Sequence, residues 1–327
     1  MAAMTLDTSL SLQINTQHRV LVEEIDGLIR VYKDGHVERP QIVPCVTSSL
    51  APELGVTCRD MIIDKYSNVW ARIYVPNAAA DKEKLKILVY FHGGGFCVGS
   101  AFWSCYHEFL AKLASKINCA IVSVNYRLAP ENPLPAAYDD GVKAVVWLRQ
   151  QEFAGNNEWW ANKCNFSCIF LAGDSAGANI AYNVALRIKP LDIKGLILLQ
   201  PFFGGETRTD SEKHMAQPPR SALTLAAADT YWRLALPAGA NRDHPWCNPV
   251  VNVVDLRRLA VMVCMSEMDI LKDRNLGFCD RLGSGGVKVE KVVCKGVGHA
   301  FQILNKSPLA QTRVHELICH IKNFVSR

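Results

Sequence analysis

An α/β fold, with helices on both faces of a mostly parallel sheet, is predicted by three features of this 327-residue chain. Strand-sized apolar runs alternate with amphipathic stretches of about 10–15 residues, the pattern left by right-handed crossovers between parallel strands. A glycine run opens at His92, directly behind one of those strands. A second glycine-flanked turn, 173–177, sits between another strand and the helix that follows it. Composition fits one folded unit spanning 1–327. Hydrophobic residues make up 49% and charged residues 20%, too apolar for disorder. A chain this long buries roughly 75% of its unfolded surface without disulfide or metal support. The net charge of +5, from 36 basic and 31 acidic side chains, is spread without a basic run, so no nucleic-acid partner is expected.

The elements follow in order. Asp34-Gly35 supplies the turn of a hairpin-like piece, with strands at 28–32 and 36–37. Residues 69–75 alternate as a half-buried strand, and 86–91 form a continuous apolar run of the buried kind. Tyr106, Phe109, Leu110, Leu113 and Ile117 recur at helical spacing, which predicts a helix over 104–117. The alternation then repeats: strand 119–124, helix 136–150, strand 168–172, helix 178–188, and strands 195–199, 261–265 and 287–293. Val314, Leu317, Ile318 and Ile321 mark one face of a closing helix.

Two stretches break the rhythm. Residues 1–56 precede it, with a ragged lead-in over 1–18. Residues 201–258 interrupt it, with Pro/Gly-rich beginnings and a helix-like piece over 223–236. Insertions at the carboxyl ends of parallel strands lie beside the ligand crevice, so both are expected to form a cap over it.

Apolar runs such as 87–91 and 196–199 fall far short of the roughly 20 residues that cross a bilayer, so no membrane partner is expected. Twelve cysteines are present, several inside apolar runs (Cys97, Cys119, Cys168, Cys264, Cys294), without a CxxC pair. The opening 1–13 has no secretory pattern. Together these read as reduced thiols in a cytoplasmic protein.

The chemistry concentrates at three strand ends. Gly173-Asp174-Ser175-Ala176-Gly177, between strand and helix, has the context of a nucleophile elbow, a strained turn that lifts a serine hydroxyl above the sheet edge. Any Cβ at the flanking glycines would collide with neighbouring backbone. By chance the pattern arises about 0.07 times in a chain of this composition, against roughly 0.002 times for His92-Gly93-Gly94-Gly95-Phe96. A glycine run at a strand's end can present backbone N–H groups to a developing oxyanion. Gly94 and Gly95 would act with the N–H of Ala176, and Gly93 would shape the oxyanion-hole loop.

Serine needs a base, and the base an orienting carboxylate. Asp269 lies just beyond strand 261–265 and His299 beyond strand 287–293, in the order serine, carboxylate, histidine. Glu267 sits too near its strand end for the role, while Asp273 and Asp280 look helical. Taken singly, each residue has a plain structural explanation: a turn serine, a helix-capping aspartate, a surface histidine. Their order and their shared placement at strand ends point to a triad.

His92 is expected to hold loop geometry, and Asp174 to serve structure or substrate positioning. His315 and His320 stand five apart, about 140° around a helix, so they cannot share a metal. No P-loop lysine or dinucleotide spacing accompanies the glycines. Neither metal nor cofactor is expected.

These motifs are specific enough to name a resemblance. Segments 28–40 (LIRVYKDGHVERP), 92–100 (HGGGFCVGS), 125–140 (NYRLAPENPLPAAYDD), 173–181 (GDSAGANIA), 200–207 (QPFFGGET) and 298–301 (GHAF) resemble the plant carboxylesterase family, within the hormone-sensitive-lipase group of α/β-hydrolases. The likeness runs from about residue 20 to the end; Asn132 departs from it, where the resemblance implies a histidine or a similar residue after Pro130-Glu131. The resemblance implies an α/β-hydrolase fold. It also implies a cofactor-free monomer or homodimer that hydrolyses small-molecule esters with small to medium acyl groups. Ser175 would attack, His299 take its proton and Asp269 orient the imidazole. Two other activities occur among similar proteins. Gibberellin receptors lack the catalytic histidine and bind a hormone, and dehydratases and cyclases use the pocket for elimination or ring closure. Which of Phe202, Phe203, Leu223, Tyr231, Trp232 and Trp246 face the pocket is not set by periodicity.

Overall fold

Alternation along each central strand sends neighbouring side chains into two separate cores. In the computed structural model, Leu85–Phe91 (β6) sends Ile87, Val89 and Phe91 to one core and Leu88 and Tyr90 to the other. Each fully buried aliphatic or aromatic side chain contributes roughly 1.5–3 kcal/mol. The structure describes residues 19–77, 84–153, 159–188, 193–217, 221–249 and 256–327. The lead-in 1–18 and parts of the interrupting stretch (218–220, 250–255) lie outside the described residues.

Beside β6 stand Cys119–Asn125 (β7), Cys164–Asp174 (β8), Ile193–Leu199 (β9), Ala260–Ser266 (β10) and Lys288–Cys294 (β11), and these six strands run parallel to one another. Val56–Asp64 (β4) and Val69–Pro76 (β5) complete the sheet antiparallel, in the order β11-β10-β9-β8-β6-β7-β5-β4. Helices Ala136–Phe153 (α2), Ala176–Arg187 (α3) and Lys272–Ser284 (α6) pack on one face. Ser104–Ile117 (α1), Phe301–Leu304 (α7) and Pro308–Val325 (α8) pack on the other. The start of α8 follows from Pro308 at its first turn and Ser307, whose hydroxyl accepts from the Ala310 N–H at 3.2 Å. Asn118, left-handed at φ 52°, ends α1.

Two expectations differ from what is found. The 69–75 strand reads as half-buried, yet β5 is almost wholly enclosed. Its polar residue Arg72 is buried against Asp60, at 2.7 and 3.0 Å, so it makes a bidentate ion pair rather than facing water. Edge strand β4 escaped the pattern because it is half-exposed and carries Arg59, Asp60 and Asp64.

The hairpin at Asp34-Gly35 is present as Ile29–Tyr32 (β2) and Val37–Glu38 (β3), joined by Leu21–Ile25 (β1) into a small separate sheet. The interrupting stretch holds Asp210–His214 (α4), opened by a Thr209/Glu212 capping box, and Leu225–Ala235 (α5), capped by Thr224. Glu23 of β1 pairs with Arg233 of α5 at 2.9 Å, which brings the two interrupting stretches together.

Candidate active site

The site forms where β6, β8, β10 and β11 end at one sheet edge. At the end of β8 the chain must reverse into α3 within one residue. Ser175 takes that strain, with φ 52° and ψ −119°. Its N–H donates to the Leu199 carbonyl at 2.8 Å. A Cβ on Gly177 would lie 1.9 Å from the Phe91 carbonyl oxygen, and one on Gly173 would lie 2.3 Å from the Gly177 carbonyl carbon. Both glycines are therefore required for the turn to sit against β6.

Three side chains from distant points in the chain meet there. The Ser175 hydroxyl is 2.9 Å from His299 Nε2, and His299 Nδ1 is 2.7 Å from Asp269 Oδ2. The other Asp269 oxygen accepts the Leu271 N–H at 3.0 Å, which fixes the carboxylate. Burial opposes charging of His299. The Asp269 carboxylate, by charge and hydrogen bond, and Asp174 further off outweigh it and hold the imidazole pKa above its ordinary value.

Neighbouring loops lock these groups in place. Gln200, after β9, accepts the Ala300 N–H at 3.1 Å beside His299. Ser211 of α4 donates its hydroxyl to the Ile270 carbonyl at 2.9 Å beside Asp269. The other carboxylates are engaged elsewhere: Glu267 with the Gly296 N–H at 2.9 Å, Asp273 with the Ser211 N–H at 2.7 Å, and Asp280 with Lys291 at 2.6 Å.

The glycine run lies across the elbow. Gly94 and Gly95 have φ of 117° and 58°, and a Cβ on Gly95 would enter the Tyr231 ring at 2.2 Å. No hydrogen bond engages the N–H groups of Gly94, Gly95 or Ala176 among the described residues. Gly93 differs from these three. Its N–H is already donated to Tyr106 Oη at 2.8 Å and Asp174 Oδ1 at 3.1 Å. Gly93 therefore shapes the loop and has no free N–H for an oxyanion hole.

His92 contacts the Gly93 carbonyl through Nδ1 at 2.8 Å and stacks on Tyr126 at 4.3 Å. Burial pulls its pKa down to about 4, so at neutral pH it is an uncharged loop support. Burial pushes the Asp174 carboxyl up to about 6, against the opposing pull of hydrogen bonds from Tyr90 and Tyr106.

A cleft opens over Ser175 and His299. Phe202, Leu223 and Tyr231 line it. Phe203 instead packs on Tyr182 and Phe278 in the core, Trp232 stacks behind Phe202, and Trp246 sits edge-on to Tyr138. Leu28 and Ile42, from the N-terminal stretch, complete the wall with Trp103, Tyr106 and Ile303. Sequence reasoning missed these residues. Tyr106 in particular reads as one more apolar position on a helix face, and only its neighbours Asp174 and Gly93 show its polar use.

Residues 88–303 match the family described as alpha/beta hydrolase fold. The probable carboxylesterase 6 of Arabidopsis thaliana is 54% identical, over 94% of this chain and 92% of that protein. The 2-hydroxyisoflavanone dehydratase of Glycyrrhiza echinata is 35% identical, over 88% of this chain and 92% of its own length. Among solved structures, an esterase of Pyrobaculum calidifontis superposes with a TM-score of 0.69 at 27% identity, covering 82% of this chain and 85% of that one. With identity this high over nearly its whole length, the chain belongs to the plant carboxylesterase family of α/β hydrolases.

Proposed function

We propose that the protein is a serine carboxylesterase acting on esters with small to medium acyl groups. The observation that carries this reading is the continuous hydrogen-bonded path from Ser175 through His299 to Asp269, at 2.9 and 2.7 Å. As Ser175 Oγ bonds to the ester carbonyl carbon, its proton passes to His299 Nε2, and Asp269 stabilises the imidazolium that results. The carbonyl π electrons move onto oxygen, where the unengaged N–H groups of Gly94, Gly95 and Ala176 receive the charge. His299 then protonates the departing alkoxide as the carbon–oxygen bond breaks. Water, deprotonated by the same imidazole, attacks the acyl-serine and releases the carboxylic acid.

The apolar cleft walls suit a neutral small-molecule ester. We assign the described parts of the stretches 1–56 and 201–258 as the cap, because Leu28, Ile42, Leu223 and Tyr231 from them line the cleft. Twelve unpaired cysteines suit a reducing compartment, and no described helix is long and apolar enough to cross a membrane. We place the protein in the cytoplasm as a monomer or homodimer.

Labelling with a fluorophosphonate followed by peptide mapping tests the reading. The expected adduct is on Ser175, absent in Ser175→Ala. Labelling elsewhere, or none, overturns it. Similarity to a dehydratase favours one rival, elimination of water in the same pocket. On that reading Ser175→Ala would keep turnover, measured as loss of water by mass spectrometry. The intact His299 contact disfavours a pure hormone receptor.

A further inference from the structure

Asp174 is the one carboxylate among the cleft-lining residues, and the hydrolytic steps above leave it unused. It is 1% exposed and has no lysine or arginine partner among the described residues. Three donors from separate parts of the fold converge on it. Oδ1 accepts the Tyr90 hydroxyl of β6 at 2.8 Å and the Gly93 N–H at 3.1 Å, and Oδ2 accepts the Tyr106 hydroxyl of α1 at 3.0 Å. Tyr106 Oη also receives the Gly93 N–H at 2.8 Å, which closes a triangle around that single amide. The fit is tight: a Cβ on Gly93 would lie 2.6 Å from Asp174 Oδ2. Donors approach both oxygens, which an amide side chain, with one acceptor atom, cannot accommodate.

Burying a carboxylate without a cation is costly, and its location explains why the fold retains it. The next two amides after Gly93 are the ones that the esterase reading assigns to the oxyanion. We propose that Asp174 is a positioning residue of the oxyanion loop, clamping Gly93 together with Tyr106 so that Gly94 and Gly95 keep their place above Ser175. The charge of its carboxylate, which lines the same cleft, also favours the imidazolium form of His299. This rests on the esterase reading. The ionisable groups around Asp174 are Tyr90 on β6, Cys105 and Tyr106 on α1, Tyr126 after β7 and His299 after β11. Around His299 they are Asp269 and Asp174. The tyrosines and the cysteine are pushed above their ordinary pKa values by burial, so they stay uncharged near neutrality.

The experiment compares Asp174→Asn and Tyr106→Phe on p-nitrophenyl butyrate across the pH range of imidazole titration. Asp174→Asn is expected to lower kcat about 100-fold, with KM nearly unchanged, because the loop loses its clamp. Tyr106→Phe is expected to lower kcat about 10-fold, the size of one lost hydrogen bond. The acid limb of kcat/KM moves to lower pH in Asp174→Asn alone, because only that variant removes the charge that raises the His299 pKa. A kcat within about twofold of the unsubstituted enzyme in Tyr106→Phe overturns the clamp, and this variant decides the matter if Asp174→Asn fails to fold. An equal limb shift in Tyr106→Phe overturns the electrostatic role. Amide hydrogen exchange of the 92–98 loop gives a readout that does not need turnover. Faster exchange in both variants supports the clamp and unchanged exchange overturns it, even if the unsubstituted protein hydrolyses no ester, which would sink the esterase reading instead.

Discussion

Replacing Asp269 by asparagine changes one atom of the proposed triad without changing its shape. Asp269 uses both oxygens, Oδ2 toward His299 Nδ1 at 2.7 Å and Oδ1 toward the Leu271 N–H at 3.0 Å. Asparagine can satisfy only one of these with its carbonyl. If it keeps Leu271, its NH₂ faces Nδ1. The imidazole must then carry its proton on Nε2, pointing at Ser175, and cannot act as base. If it flips, two donors face each other at Leu271, at a cost of about 1–3 kcal/mol for the unsatisfied buried group. The active rotamer is therefore populated about 1–10% of the time by that cost alone. Even that fraction lacks the negative charge that stabilises the imidazolium, which is worth roughly another 10- to 100-fold. Together these predict a fall in kcat of about 10²–10⁴, or about 2.7–5.5 kcal/mol in the barrier, with little change in KM. Steady-state hydrolysis of p-nitrophenyl butyrate, with a thermal melt to show the fold is retained, measures it. A folded Asp269→Asn enzyme within tenfold of the original kcat would refute this reasoning and move the orienting role to another group.

Three other perturbations probe the same architecture. Gly177→Ala places a Cβ 1.9 Å from the Phe91 carbonyl oxygen, which is backbone and cannot move aside; a loss of about 4 kcal/mol or more is expected, and an unchanged melting temperature would contradict it. Leu223→Ala widens the cleft wall and should raise the preference for longer acyl chains over acetyl by about tenfold. Phe203→Leu, in the core behind, should leave that preference alone while lowering the melting temperature. The two buried titrations act in opposite directions on stability. His92 takes its proton at about 4 when folded against 6.5 when unfolded, so stability falls as pH drops through that window, by up to about 3 kcal/mol. Asp174 takes its proton at about 6 when folded against 3.8 unfolded, so acid favours the folded state there and offsets much of the loss. Asp174→Asn removes the offset. Denaturant melts between pH 6 and 4 should show a steeper loss in that variant, and a shallower one would reverse the assignment.

The alternation of strands and helices, the elbow at 173–177, and the order Ser175, Asp269, His299 are all legible in the chain, because each depends on local spacing. A tight turn demands glycine wherever it occurs, and a buried strand demands apolar residues whatever lies beside it. Packing alone decided which of the insertion aromatics face the cleft, since Phe202 and Phe203 are chain neighbours that reach opposite environments. It also turned Arg72 inward to Asp60 and gave the Gly93 N–H to Asp174 and Tyr106 rather than leaving it free. Those outcomes depend on groups 12 to 81 positions apart in the chain. Hydrogen bonds and ion pairs are selected by distance in space, so no pattern read along the sequence could have assigned them.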